Sequence, residues 1–244
     1  MKKYLVLCWM LLPLPVLVLH FGRGQQWLAR DQAHVMVTKA AQLEQAKDWH
    51  GADALYREAA KLAAGDDPQL RLRLDLAQVR TRHRMGEAVN AIDMAEKLLT
   101  EPALKDMPPE FRREAREVAG RIHYHAAWVM RLEGASRELW MEQAEQARQN
   151  FRMLAETTAG ESPPAEATRL QENLESAVQL QRLSLTELMA RPLPEEGQCM
   201  GGQGLSEQMG KRRGQRGNQP GQGQQEGPPD KGAGMDRYKP GQGS

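Results

Sequence analysis

Three sets of residues spaced three, four and three apart constrain the fold of this chain more than any other feature of its sequence. Residues with this spacing share one face of a helix, and their small alanines let a second helix approach closely. The second set follows the first by about 39 residues, and the third comes after a longer insertion. Three copies predict stacked helical hairpins. The three stripes are Trp49, Ala52, Tyr56 and Ala59; Ala88, Ala91, Ala95 and Leu98; and Ala144, Ala147, Phe151 and Leu154.

The composition of the central part of the chain favours helices throughout. From Gln26 to Arg191 it is rich in Ala, Leu, Glu, Gln, Arg and Met and poor in β-branched and aromatic residues, a balance that suits helices rather than strands. Proline stands beside a capping or turn residue at Asp67-Pro68, Pro108-Pro109 and Ser162-Pro163-Pro164, as at helix starts. These signals predict an all-α domain over residues 25–191. The expected helices span about 26–47, 50–64, 69–84, 87–100, 109–132, 136–158 and 163–189.

The second stripe, together with the turn before it, carries a family resemblance. Its motif, Gly86-x-Ala88-x-x-Ala91-Ile92-x-x-Ala95-x-x-Leu98 closed by Pro102, resembles the second half of a tetratricopeptide repeat. The first unit is similar, although Lys47 stands where that family usually has glycine. The resemblance implies a short solenoid of antiparallel helical hairpins whose groove binds protein partners. Helical hairpins of no particular family explain the same stripes, and this alternative stays open.

The last predicted helix resembles a narrower group of proteins. Its pattern over residues 167–177, Ala-x-x-Leu-x-x-Asn-Leu-Glu-x-Ala, is similar to the end of tetratricopeptide proteins encoded beside von Willebrand factor A proteins in bacterial aerotolerance operons. The resemblance implies that membrane-bound von Willebrand factor A proteins are partners. We expect the apolar side of this helix to cap the end of the array. That side consists of Leu170, Leu174, Ala177, Val178 and Leu185.

An uncharged apolar run, Tyr4 to Phe21, follows Lys2 and Lys3 at the N-terminus. Its length of about 18 residues is at the lower limit for a helix that spans a bilayer and exceeds the core of most cleaved signals. We therefore expect residues 1–24 to be an uncleaved signal anchor, with the two lysines inside and the body outside the cytoplasm. This predicts a single-pass protein of a bacterial inner membrane. Cleavage near Gly22-Arg23-Gly24 is the alternative.

The composition changes abruptly toward the C-terminus. About 14 of the chain's 22 glycines lie between Glu195 and Ser244, with many glutamines and almost no large apolar residues. Such a segment buries too little surface to offset the entropy of ordering its backbone, so residues 192–244 are expected to form a disordered tail. Its basic run is a candidate for phosphate contacts with nucleic acid or an anionic surface. A solvated linker is the favoured alternative, because no aromatic residue lies nearby to stack on bases. The candidate contacts are Lys211, Arg212, Arg213 and Arg216.

No pattern in the sequence predicts catalysis, a cofactor or a metal site. The formal net charge is +1, with 33 basic and 32 acidic residues, so no overall field directs the chain to nucleic acid. Cys8 and Cys199 lie in the apolar run and the tail, where they support neither a disulfide framework nor a metal site. His123 and His125 are two positions apart, which directs their rings to different sides of a helix and favours a packing or hydrogen-bonding role. We expect a protein that is not an enzyme.

The stretch from residue 124 to residue 140 combines two tryptophans with tyrosine, methionine and arginine. Large aromatic residues and arginine dominate binding hot spots, so this stretch is the candidate wall of a groove that takes a partner peptide or helix. The alternative is that the tryptophans pack between helices and leave the arginines on the surface. The sequence thus predicts a membrane-anchored, non-enzymatic scaffold for protein–protein interaction. The candidate partner contacts are Tyr124, Trp128, Arg131, Arg137 and Trp140.

Overall fold

The computed structural model describes residues 23–63, 67–158, 163–191 and 204–217, and in these ranges the chain is helical without a strand. The prediction of an all-α chain is confirmed for this part. Helix bounds agree with the predicted ones to within about three residues, except in the last predicted helix. A 3-10 turn, Pro102–Asp106, precedes the fifth helix. The helices are α1 (Arg23–Gln45), α2 (Trp49–Leu62), α3 (Pro68–Arg84), α4 (Ala88–Thr100), α5 (Pro109–Leu132), α6 (Arg137–Thr158), α7 (Pro164–Arg182), α8 (Leu185–Met189) and α9 (Leu205–Gly217).

Consecutive helices pack on each other as three hairpins, α1–α2, α3–α4 and α5–α6, and α7 follows on α6. Each hairpin turns through a residue with a positive φ, at Lys47 (61°), Gly86 (82°) and Gly134 (72°). Glycine adopts this left-handed conformation at little cost, whereas a residue with a side chain loses about 1–2 kcal/mol. The turn predicted at Gly86 is confirmed, and Lys47 adopts in the first hairpin the conformation that glycine supplies in the other two.

The residues of the three predicted stripes lie in the interior, except that Trp49 is half-buried. Between the first two stripes, α3 buries two different faces. Leu72, Leu76 and Val79 pack with α4 and α5. The opposite face packs with α1 and α2 through Leu70, Leu74 and Ala77. Because both faces are apolar, α3 joins the first hairpin to the second.

The third hairpin depends on a close approach at Gly120. A Cβ at this position would lie 2.7 Å from the Phe151 ring of α6. Any side chain would force the ring away, so glycine lets Phe151 lie directly on the backbone of α5. Phe151 also belongs to a small core with Leu154 of α6 and Leu170 of α7. Through it, α7 covers the end of the array.

The predicted helix over residues 163–189 is interrupted, so the predicted placement of Leu185 on its apolar side is wrong. α7 ends at Arg182, and α8 starts after Ser184, whose side chain forms a reciprocal capping box with Glu187. The capping box satisfies the backbone amides of a new helix start. Leu185, predicted on the apolar side, is therefore 46 % exposed, and Leu188 is buried instead. The break turns the chain so that α8 packs on α5.

The prediction of a disordered tail is wrong for residues 204–217. They contain α9, whose Leu205 and Met209 are buried in the core shared with α4, α5 and α6. The Glu133 carboxylate accepts hydrogen bonds from the backbone amides of Leu205 (3.2 Å) and Ser206 (2.7 Å). The carboxylate thus pairs with free backbone amides at the N-terminus of α9 and complements the positive end of the helix dipole. The average composition of the tail concealed this short amphipathic stretch.

The predicted anchor over residues 1–24 falls almost entirely outside the described residues, which begin at Arg23. The same holds for Cys8, for Cys199 and for the rest of the predicted tail. Among the helices that the structure describes, none is both long and apolar enough to cross a membrane.

Candidate functional site

The first helices of the three hairpins, α1, α3 and α5, flank an open groove of about 550 Å³. Val37 of α1 and Phe111 of α5 stand half-exposed on opposite walls. Leu74 and Ala77 of α3 form the apolar floor between them. The groove therefore crosses all three hairpins, and a ligand in it would contact each of them.

A polar network joins the helices around this groove. Arg80 of α3 contacts the carboxylates of Glu114 on α5 at 2.5 Å and Glu44 on α1 at 3.9 Å. The Tyr56 hydroxyl of α2 donates a hydrogen bond to Glu44 at 3.0 Å. Burial, followed by the charge of Glu44, raises the pKa of Tyr56 to about 12, so the phenol stays a neutral donor. The network links α1, α2, α3 and α5 around the groove.

The groove lining combines apolar residues with charged and polar ones. Its hydroxyl group is that of Tyr56, which donates to Glu44. The Thr38 hydroxyl next to His34 donates to the His34 carbonyl. The rim carries three glutamates against two arginines. An apolar floor under an acidic rim complements an amphipathic segment with a basic side. In the ranges that the structure describes, no three His, Cys, Asp or Glu residues are placed to hold a metal ion.

The predicted partner-binding residues lie at the other end of α5. Trp128 is 4 % exposed and Trp140 is 9 % exposed, and both belong to the main core. Tyr124 is half-buried and stands edge-on to Trp128, with ring centroids 5.8 Å apart. The same core contains Leu188 of α8 and Met209 of α9. Both tryptophans thus have the placement that the packing alternative describes, while their binding role stays a prediction.

Of the two arginines in this stretch, Arg131 is tied to the end of α7. Its guanidinium donates to the carbonyl oxygens of Leu180 at 2.5 Å and Leu183 at 2.7 Å, and lies 4.5 Å from the centroid of the Trp140 ring. Carbonyls at a helix C-terminus carry partial negative charge, so the cation caps α7. Arg137, at the start of α6, is exposed. The packing alternative placed both arginines on the surface, which fits Arg137 alone.

In the predicted phosphate-binding run, Arg212 is the most enclosed of the cations whose side chains the structure describes. Its side chain is 12 % exposed and contacts the carboxylates of Asp93 and, at 2.8 Å, Glu96 on α4. Leu205, Met209 and Arg212 follow one face of α9 at spacings of four and three, which is the sequence signal that would have revealed this helix. Arg212 therefore fixes α9 to the second hairpin.

The other cations of this run are placed differently. Arg213 lies 3.8 Å from Glu138 of α6, and Lys211 lies 2.7 Å from Glu207 within α9. The backbone of Arg216 belongs to α9, but its side chain is outside the described part of the chain. A phosphate at this run would have to compete with carboxylates for Arg212, Arg213 and Lys211. Phosphate binding here stays a prediction.

The histidines of α5 point to different sides of the helix, as their spacing predicts. His123 Nδ1 lies 2.8 Å from Gln143 Oε1 of α6, so the ring donates to the amide. His125 Nδ1 lies 3.0 Å from His83 Nε2 of α3, and the two rings stack with centroids 5.1 Å apart. No motif in the sequence predicts a partner for His83. The pair is separated by 42 positions, and only the packing of α3 beside α5 brings the rings together.

Sequence reasoning also missed the groove. Of the residues that line it, Tyr56 was predicted to pack in the first stripe, and Pro108 was predicted to stand at a helix start. A signal was available in α3, where Leu70, Leu74 and Ala77 form a second apolar face. A helix with two apolar faces has neighbours on both sides, and the groove runs along one of them.

Comparison of the chain with protein-family models, with curated proteins and with solved structures found no match. Any function must therefore be argued from the residues and from the geometry of the groove.

Proposed function

We propose that this chain is a non-enzymatic scaffold that holds a basic, amphipathic segment of a partner protein in the groove between α1, α3 and α5. One observation carries the proposal, an open groove of about 550 Å³ that crosses three hairpins and combines an apolar floor with an acidic rim. Grooves of this kind take an amphipathic helix whose apolar side lies on the floor. The resemblance of the hairpins to tetratricopeptide repeats supports the same function.

The charges of the α5 wall argue for a basic partner. The side chains of Glu110 and Glu114 are 73 % and 49 % exposed. Lysine or arginine on one side of the partner segment would meet these carboxylates, while its apolar residues contact Val37 and Phe111. Such charges govern orientation and association rate, and the buried apolar contacts supply most of the affinity.

The polar network around Arg80 supports binding by a preformed site. Its contacts with Glu44 and Glu114 connect the first, second and third hairpins. A groove whose walls are already positioned loses less conformational entropy when a ligand binds. The partner segment then bears most of the ordering cost.

The proposal includes a membrane tether and a class of partner. Tyr4 to Phe21 precedes α1 in the sequence, and we take residues 1–24 as an uncleaved anchor that places the body outside the cytoplasm at a bacterial inner membrane. Membrane-bound von Willebrand factor A proteins are the proposed partners. That assignment comes only from the resemblance of residues 167–177 and of the layout of the chain, with a membrane segment, repeats and a tail rich in Gln and Gly.

The test is site-specific photo-crosslinking of the full chain in its native membrane. A photoreactive phenylalanine analogue at Phe111 lies in the groove, and the same analogue at Met153, 45 % exposed on α6, samples a surface away from it. We expect a discrete protein adduct from Phe111 and none from Met153. Equal adducts from both positions, or no adduct from Phe111, would refute the proposal.

Charge reversal at the rim shows whether the adduct is specific. Glu110→Arg places a cation where the partner's basic side should lie, and Glu156→Arg on α6 is the matched control. Each glutamate is exposed and pairs with an arginine of its own helix, at 3.7 Å and 2.7 Å respectively. We expect Glu110→Arg to abolish the Phe111 adduct and Glu156→Arg to preserve it. An adduct that survives Glu110→Arg but disappears when residues 218–244 are deleted would assign binding to the tail after α9 instead.

A further inference from the structure

Another cavity, of about 50 Å³, lies between the C-terminal part of α3 and the middle of α5. Of its six lining side chains, four are arginine or histidine and two are apolar. At roughly 10–15 Å³ for each water-sized occupant, the space admits a group of a few heavy atoms and nothing larger. The lining residues are Arg80, His83, Arg84, Val118, Arg121 and Ile122.

His83 brings to this cavity a buried nitrogen without a hydrogen-bond partner from the protein. The residue is 5 % exposed, and its Nε2 is engaged by His125 Nδ1 at 3.0 Å. Its Nδ1 is buried and makes no hydrogen bond. Buried polar atoms in native proteins are almost always bonded to protein, water or ligand. An occupant of the cavity that His83 lines would satisfy this nitrogen.

The hydrogen bond between the two histidines allows His83 to be a donor. When His125 Nδ1–H donates to His83 Nε2, the single proton of the neutral His83 ring is on Nδ1. Burial, then His125 and the charges of Arg84 and Arg121, lower the pKa of His83 to about 3. The ring is therefore neutral near pH 7, and in the tautomer in which His125 donates, its Nδ1–H is available to an acceptor.

The charges next to the histidine pair favour an anion over a metal ion. The positive charges of Arg84 and Arg121 disfavour protonation of both rings. Burial, then the charges of Arg121 and Arg84, also lower the pKa of His125 to about 4. Two guanidinium groups would repel a metal cation at the free nitrogen. Both arginines make other contacts, and Arg84 lies over the Trp49 ring at 5.6 Å. A guanidinium has five N–H donors, so it serves an anion in addition to such contacts.

We propose that this cavity binds a free oxyanion of the size of phosphate or sulfate, held by Arg84 and Arg121 with His83 Nδ1–H as a neutral donor. Two guanidinium groups and an imidazole N–H offer more donors than one carboxylate uses, and they match a dianion with four oxygens. The bound anion connects α3 to α5, and hence the second hairpin to the third. Arg80 borders both this cavity and the groove, but the anion site does not depend on the proposed scaffold function.

The test is phosphate binding to the full-length protein, measured by isothermal titration calorimetry in a chloride buffer of constant ionic strength. We expect saturable calorimetric binding of one phosphate or sulfate per chain, and a Tm that keeps rising with the logarithm of the phosphate concentration above the Kd. Sodium acetate distinguishes a carboxylate from a tetrahedral oxyanion. The proposal is overturned if neither phosphate nor sulfate binds saturably, or if acetate binds as tightly as phosphate.

Variants assign the binding to this cavity. We expect Arg121→Gln to weaken phosphate binding roughly tenfold, and Arg116→Gln, five positions earlier on α5 and outside the cavity lining, to leave it unchanged. His83→Phe keeps an aromatic ring but removes the donor, and should also weaken binding. If Arg121→Gln does not fold, Arg84→Gln replaces it.

The readout for each variant is the difference in Tm between phosphate and chloride, which cancels the effect of the substitution on stability itself. Phosphate affinity that stays unchanged in both the arginine and the histidine variants would show that the ion binds elsewhere, and overturns the proposal. Glu110→Arg, which tests the groove, should not alter phosphate binding. The failure of either proposal is therefore distinguishable from the failure of the other.

Discussion

The N-terminal and C-terminal ends of α5 both combine an aromatic ring with a nearby arginine, but in different surroundings. At the N-terminal end, Phe111 is half-exposed on the wall of the groove, which Arg80 also lines. At the C-terminal end, Trp128 is 4 % exposed, and Arg131 donates to carbonyls at the end of α7. Residues from α7, α8 and α9 join the core around Trp128. None of the described helices fills the groove.

This difference teaches that residue type does not decide whether an aromatic cluster is a binding surface or a core. The segments that cover the C-terminal end arrive late in the chain. Leu188 and Leu205, which share the core with Trp128, lie about 60 and 77 positions after it. A composition typical of hot spots therefore identifies candidate binding residues. Burial then shows which of them belong to the core and which remain open to a partner.

The largest expected effect is the difference in stability lost when Trp128 in the core and Phe111 at the groove are each truncated. Trp128→Ala should lower the free energy of unfolding by about 3–5 kcal/mol, because it leaves a cavity in the main core. Phe111→Ala should cost only about 1 kcal/mol, since its ring is already partly in water. Urea unfolding followed by circular dichroism measures both values. Trp128→Phe is the control, and should cost less than Trp128→Ala. Equal losses for Trp128→Ala and Phe111→Ala would contradict the contrast between core and groove.

An intermediate effect is expected when α9 is released from the C-terminal end. Arg212→Ala removes the cation that faces Asp93 and Glu96, which should raise amide hydrogen exchange across residues 205–217 and cost about 1–2 kcal/mol. Exchange in α1 should stay unchanged, because α9 packs on α4, α5 and α6.

The matched control for α9 is Lys211→Ala, since this side chain is 71 % exposed and pairs only within its own helix. It should leave α9 protected. If both variants exchange alike, the contact of Arg212 with α4 does not hold the helix in place.

The smallest effect is expected at Arg137, the exposed arginine of the stretch from residue 124 to residue 140. Arg137→Ala should change the free energy of unfolding by less than about 0.5 kcal/mol. Arg131→Ala should cost about 2 kcal/mol, because it removes charged hydrogen bonds to the end of α7. Chemical unfolding of the two variants side by side makes the comparison. A loss for Arg137→Ala as large as that for Arg131→Ala would contradict this contrast.

Much of the fold was predictable because its signals are local. The stripe from Ala88 to Leu98 and the turn at Gly86 involve residues only a few positions apart, and both are confirmed. The placement of His125 and His123 on different sides of α5 also follows from helical geometry. The interruption at Ser184 was missed although its capping box is local, because the apolar spacing continued through it.

The candidate site was less predictable, since its parts come from distant positions. Arg80 meets Glu114 across 34 positions and His83 meets His125 across 42. No pattern within one helix indicates such pairs. The order of α9 was missed for a related reason, because its capping group, Glu133, lies 72 positions before Leu205.

By itself, the sequence determined α1 to α6, the turns within their hairpins and their apolar faces, since these depend on side chains within about one turn of each other. Only the tertiary structure decided which of those faces stayed open. It covered Trp128 and Trp140 with the late helices and left Phe111 at the edge of a groove. The physical reason is that burial depends on what packs against a surface, and for this chain the covering helices are separated in sequence from the residues they cover.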